Sequence, residues 1–130
     1  MLSLWPKIEL KVVESPIKIL QEQVDAFNTQ LKGVLSCRLE REKYTMAYYD
    51  YIVGLYITSP VLTDYKMRLV EVKYNVAEAY PCLVRNCFEV RDSNNELTAR
   101  DCKEFKDVLK SIFHSKEVIS ALQNIYTEGL

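Results

Sequence analysis

The sequence predicts an α+β domain, an antiparallel β-meander of about four strands packed by one N-terminal and two C-terminal helices. Three observations lead there. A 4-3-4-3 apolar spacing follows a serine-proline start. The period then drops to two through the middle of the chain. Helical spacing returns over the last third. Strands linked by short connections without intervening helices favour antiparallel pairing, and amphipathic helices must bury their stripes on a sheet or on each other.

Ser15-Pro16 opens the first helix, because serine is a preferred N-cap and proline is pre-organised for the first helical position. Leu20, Val24, Phe27, Leu31 and Val34 form one stripe, and Lys18, Glu22, Asp25 and Gln30 occupy the opposite face. Gly33 is the stop, so the helix is predicted over 16–32. Leu35, Cys37 and Leu39 then alternate with Ser36, Arg38 and Glu40, a half-buried strand with Cys37 in the core. The stretch 48–58 has apolar residues of both parities, as expected of a central strand. In the third strand, 65–74, the apolar set changes parity at Leu69-Val70, which predicts a β-bulge or a strand covered on both sides. Residues 83–90 form the fourth strand, with Val84, Phe88 and Val90 against Arg85, Glu89 and Arg91, and Asp92-Ser93-Asn94-Asn95 reads as a turn. Ile8 to Val12 also alternates and is a candidate extra edge strand. Thr98 with Asp101 resembles a capping box before the stripe Phe105, Val108, Leu109 and Ile112. Ser115 caps a last helix bearing Val118, Leu122, Ile125 and Tyr126.

The chain has 130 residues, and 48% of them are hydrophobic, enough for one domain over 1–130 with its own core and too many for disorder. With 17 Lys+Arg against 18 Asp+Glu, the basic excess of a nucleic-acid binder is missing, so nucleic acid is not an expected partner. No run of 18 apolar residues appears, and no membrane span or membrane partner is expected. The opening Met1–Trp5 is apolar, but Pro6, Lys7 and Glu9 interrupt it, unlike a secretory signal. Leu2, Leu4 and Trp5 are too apolar for a free tail, and they are expected to pack on the domain or on a second copy in a homodimer. The four cysteines, at 37, 82, 87 and 102, match no compact disulfide framework and read as reduced thiols of a cytoplasmic protein.

Cys82 and Cys87 lack a CxxC or HxxxH companion, and their odd separation puts them on opposite strand faces, so no metal is expected. His114 is the single histidine, and it lies three helical turns from Cys102, too far for proton transfer along one helix. The carboxylate pairs Glu40/Glu42 and Asp101/Glu104 are interleaved with Arg and Lys, as on a solvated face. With three glycines, no Gly-rich phosphate loop is present, and no cofactor is expected. Tyrosine is the feature that stands out, with nine, mostly in the strand region. It joins an apolar body to a polar tip and is enriched at interfaces. Tyr44, Tyr48 and Tyr56 are the candidate partner-binding residues, on an exposed sheet face. The expected function is therefore a non-enzymatic protein-interaction module. The alternative is a small enzyme or ligand-binding domain with a pocket between sheet and helices, marked by convergent Cys, Tyr and Arg side chains.

The string from Ser15 to Gln23, SPIKILQEQ, with the Gly33-Val34-Leu35 exit, resembles the start of a family of small uncharacterised bacterial proteins. Their pattern is Ser-Pro-x-x-Ile-Leu-x-Glu-Gln, then strands with a Tyr-Pro step, here Tyr80-Pro81. The resemblance spans most of the chain and implies a bacterial, cytosolic origin without an activity. The order of elements is also similar to ubiquitin-conjugating-like folds. The His-Pro-Asn signature and the cysteine after it are missing here, so that similarity implies no conjugating activity.

Overall fold

The structure, a computed structural model, describes residues 1–44, 48–88 and 95–130. Helix α1 (Pro16–Gln30) is followed by β1 (Ser36–Lys43), β2 (Tyr51–Thr58), β3 (Lys66–Tyr74), β4 (Cys82–Asn86) and β5 (Glu96–Ala99), then α2 (Cys102–Phe113) and α3 (Lys116–Glu128). The strands pair in chain order as a five-stranded antiparallel meander. This is the predicted α+β class with one strand more than expected.

The serine caps form as read. Ser15 Oγ accepts from Lys18 N–H at 3.4 Å, and Ser115 Oγ accepts from Val118 N–H at 3.3 Å. Gly33 sits at φ +79, the left-handed conformation that lets the chain leave α1 without a Cβ clash. The parity change in β3 is a bulge: the register with β2 slips between Leu55 and Tyr56, and Leu69 is the extra residue. Leu69 and Val70 thereby both enter the core.

The fifth strand is where the reading of the sequence has to be corrected. Thr98 does not cap α2; it pairs with Leu83 in β5. The cap is Asp101, whose carboxylate accepts from Glu104 N–H at 2.8 Å. Four residues with one buried side chain, Ala99, are too short to show an alternation. β4 also ends earlier than predicted. Asn86 Oδ1 accepts from Phe88 N–H at 3.0 Å, a side-chain turn that pulls the backbone off the ladder. Glu89, Val90 and Arg91, and the predicted turn at Asp92–Asn95 apart from Asn95, lie outside the described residues. β2 starts at Tyr51 rather than 48, leaving Tyr48 in the hairpin before it.

All three helices lie on one face of the sheet. Ile19, Leu20 and Val24 of α1, Phe105 and Leu109 of α2, and Val118 and Ile125 of α3 meet Val53, Leu55, Ile57, Val72 and Val84 in a single core. Cys37 is buried there as predicted, and Cys82 joins it from β4. α1 is tied to edge strand β1 by the Asn28 side chain. Its Nδ2 donates to the Cys37 carbonyl (2.9 Å), and its Oδ1 accepts from Cys37 N–H (2.7 Å). The carboxamide thus stands where a neighbouring strand's peptide group would, and closes the β1 edge at that residue.

Two expectations for the opening segment do not hold within one chain. Ile8–Val12 forms no strand, and Leu2, Leu4 and Trp5 do not pack on the domain: all three are at least 78% exposed. The cause lies at the root of the segment. The Glu14 carbonyl accepts from Tyr80 Oη at 2.8 Å, and its carboxylate pairs with Lys106 of α2 at 3.2 Å. The chain is therefore tied at Glu14 to Tyr80 and to α2, not to the β1 edge, which Asn28 occupies at Cys37.

Asn28→Ala leaves both Cys37 backbone groups without their partner in a half-buried place. It should lower stability by about 1–3 kcal/mol, read from the urea unfolding midpoint. An unchanged midpoint would show that water replaces the carboxamide at no cost.

Candidate functional site

The side of the sheet away from the helices is covered by no described element. The strand pleat puts Arg38, Glu40 and Glu42 of β1, Ile52, Gly54 and Tyr56 of β2, and Lys66, Arg68, Glu71 and Lys73 of β3 on this side. The layout is set by the same alternation that sends Val53, Leu55 and Ile57 into the core.

Tyr56 lies at the middle of this face. Its ring folds back over Gly54: a Cβ built on Gly54 would stand 2.8 Å from Tyr56 Cε2 and 3.2 Å from Cζ. Gly54 is thus the flat seat of the ring. Lys66 Nζ sits 4.7 Å from the centre of the same ring and donates to both Glu40 oxygens at 3.0 and 3.1 Å. Next to Gly54 in register is Glu71, buried although charged, with Arg68 Nη1 at 2.7 Å. A buried carboxylate needs such a partner. Arg85 of β4 is the register neighbour of Glu71 on the other side, and its buried Nε has no hydrogen-bond partner among the described residues. A shallow hollow of about 310 Å3 lies over Gly54, bordered by Glu40, Ile52, Tyr56, Arg68 and Glu71.

The three predicted tyrosines are spread out rather than clustered. Tyr44, just past β1, has Lys73 Nζ 4.9 Å above its ring. Its N–H donates to the Asp50 carbonyl at 2.9 Å, closing the hairpin base. Asp50 is in turn bonded through Asn75 Oδ1 (2.9 Å) and to Val76 N–H (3.0 Å), which fixes the hairpin against the end of β3. Tyr48, in that hairpin, is 89% exposed. Tyr51 and Tyr74 lie on the helix side instead, their rings 6.4 Å apart with Arg41 over Tyr51. Part of the tyrosine count is therefore ordinary packing. Sequence reasoning missed the charged half of the site. Arg68 and Glu71 fall on one side only because the bulge at Leu69 restores their parity.

Behind the sheet, a cleft of about 430 Å3 separates α1 from the α2–α3 corner. Its walls are apolar, including Phe27, Leu55, Phe113 and Leu122, with Cys37 and His114 also on the lining. The fold brings this cysteine and histidine into one cleft, which the linear sequence could not show. Burial, however, pushes the Cys37 thiol up to about 12, so the thiolate nucleophile is scarce near neutrality. Among the described residues, no tyrosine or arginine lines the cleft. Cys82 is likewise pushed to about 12 by burial, and burial also raises Cys87, against the pull of Arg68. Cys82 points into the core, whereas Cys87 lies near Arg68 on the open side. Cys102 and His114 sit at opposite ends of α2. Among the described residues, no group of three or more His, Cys, Asp or Glu side chains could hold a metal, and no helix is long and apolar enough to cross a membrane. No protein-family model, curated protein or solved structure matches this chain, so its function rests on the geometry.

Two outcomes follow from these environments. Between the free-thiol value of 9.0 and about 12, unfolded cysteines ionise while Cys37 and Cys82 stay protonated. The folded state then holds more protons, so stability present below pH 9 is lost as pH rises through this window. Cys37→Ala/Cys82→Ala, less stable at neutral pH, should show a shallower alkaline decline in chemical-unfolding series; an equal slope would place the loss elsewhere. The second outcome concerns the ring seat. Gly54 Hα protons should resonate upfield under the Tyr56 ring and return to ordinary positions in Tyr56→Ala. Gly54→Ala should drive the ring outward at a stability cost below about 1 kcal/mol.

Proposed function

We propose that this protein is a non-enzymatic protein-interaction module that binds its partner through the open sheet face, with Tyr44, Tyr48 and Tyr56 as contact residues. The observation that carries the reading is the face itself: it holds aromatic rings capped by Lys66 and Lys73 beside the buried Glu71 carboxylate and its Arg68 partner, with no described element over it. Aromatic bodies provide contact area at low entropic cost, and fixed charges of both signs select a complementary surface. The partner is a protein with mixed surface charge rather than nucleic acid, because Glu40, Glu42 and Glu71 offset the basic groups of the face. Four free thiols, two of them in the core, support a reducing, cytoplasmic setting, and the Ser-Pro helix start supports a bacterial one.

A second reading keeps the apolar cleft as a pocket for a small apolar ligand, favoured by its size and its Phe and Leu walls. The two readings use opposite sides of the sheet and separate by mutation. A photo-crosslinking residue at 48 or 56 should capture a protein from the native host that one at Lys110 does not. Tyr48→Ala and Tyr56→Ala should each weaken the purified pair by roughly tenfold without moving the unfolding midpoint of this chain. Loss of binding on filling the cleft by Leu122→Trp, with both tyrosine variants unaffected, would transfer the function to the cleft.

A further inference from the structure

The segment before α1 is an apolar feature that neither the core nor the open face uses. Every large apolar side chain from Met1 to Val13 is exposed, Leu4 and Leu10 by more than 90%. Contiguous exposed apolar surface of this kind marks a contact site. Residues 1–12 form no strand or helix, and among the described residues their one internal hydrogen bond is local, from Trp5 N–H to Ser3 Oγ at 3.2 Å. The arm is nonetheless held at its root, where Tyr80 and Lys106 grip Glu14. The same contacts fix the direction in which it leaves the body.

The arm's residues show what would cover it. Ile8, Leu10 and Val12 share one parity, and Lys7, Glu9 and Lys11 the other. Placed antiparallel to itself about Leu10, the segment is self-complementary. Ile8 meets Val12 of the second copy and Glu9 meets Lys11, each pair occurring twice, and Leu10 meets Leu10 once, on the two-fold axis. A two-fold contact requires this reciprocity. Centring on Glu9 instead would set Lys7 against Lys11, like charges directly opposite, which is unfavourable. Pro6 cannot donate to a ladder and ends the strand on one side; Ser15-Pro16 ends it on the other.

We propose that residues 7–13 of two copies pair as antiparallel strands about Leu10, making the arm the dimerisation element of this protein. The apolar parity forms the inner face of the joint ribbon, and the Glu9–Lys11 pairs set its register. Two strands alone are marginally stable, so Leu2, Leu4 and Trp5 contribute by packing under the ribbon's apolar face. This surface is separate from the open sheet face, and its test does not depend on any partner there.

Sedimentation equilibrium of the full chain should give twice the mass of one copy, and removal of residues 1–13 should give one copy with an unchanged circular-dichroism spectrum. Glu9→Lys and Lys11→Glu each replace two attractive pairs with two repulsive ones, and each alone should weaken the dimer about tenfold or more. An equimolar mixture of the two should recover a dimer, now mixed, and so should the double reversal Glu9→Lys/Lys11→Glu as a homodimer. Leu10→Asp should abolish association. All these side chains are exposed, so the variants keep the fold. A monomeric full chain, a dimer that survives the deletion, or charge variants that fail to rescue one another would overturn the proposal. So would arm-dependent sedimentation of a monomeric chain with phospholipid vesicles.

Discussion

Three helices cannot cover both faces of a five-stranded sheet, and everything distinctive about this molecule follows from which face they take. The helix-side residues of β2, Val53, Leu55 and Ile57, are essentially inaccessible, and they meet stripes from all three helices. Burial of that size is the main favourable term in folding a chain of this length. Because side chains alternate, committing one parity to the core commits the other to the open side. The charged and aromatic residues of that side are thus displayed by the packing of its opposite.

The open face carries a cost that the structure meets locally. Glu71 is buried at its middle, and a buried charge is tolerated only when paired and bonded. Arg68 reaches it because the Leu69 bulge moves one more residue into the core and returns Arg68 to the open side. Gly54, beside Glu71, leaves room for the Tyr56 ring to lie flat. Bulge, glycine and tyrosine therefore form one arrangement: the backbone irregularity decides which charges share a face, and the missing Cβ decides where the ring rests.

The edges of the sheet are handled differently. At β1, the Asn28 carboxamide substitutes for a neighbouring strand at Cys37 and ties the edge to α1. No described segment of the same chain adds to that edge. The Glu14 anchor to Tyr80 and Lys106 then directs the arm away from the body. A sequence that alternates well enough to be a strand is left without a strand to pair with in its own chain.

Much of this could be read from residues alone. The helix starts at Ser15-Pro16 and Ser115, the stop at Gly33, the alternation through Leu35, Cys37 and Leu39, and the parity break at Leu69-Val70 are local signals. Local stereochemistry and side-chain direction determine them. What the tertiary structure decided depends on residues distant in sequence. β5 exists because Glu96–Ala99 finds β4, not because its four residues prefer a strand. Asp101 rather than Thr98 caps α2 because that strand claims Thr98. Cys37 and His114 share a cleft only because α1 and the α2–α3 corner rest on the same face. Alternation in Ile8–Val12 could state a preference for pairing, but pairing needs a free edge, and the position of every edge is a property of the whole fold.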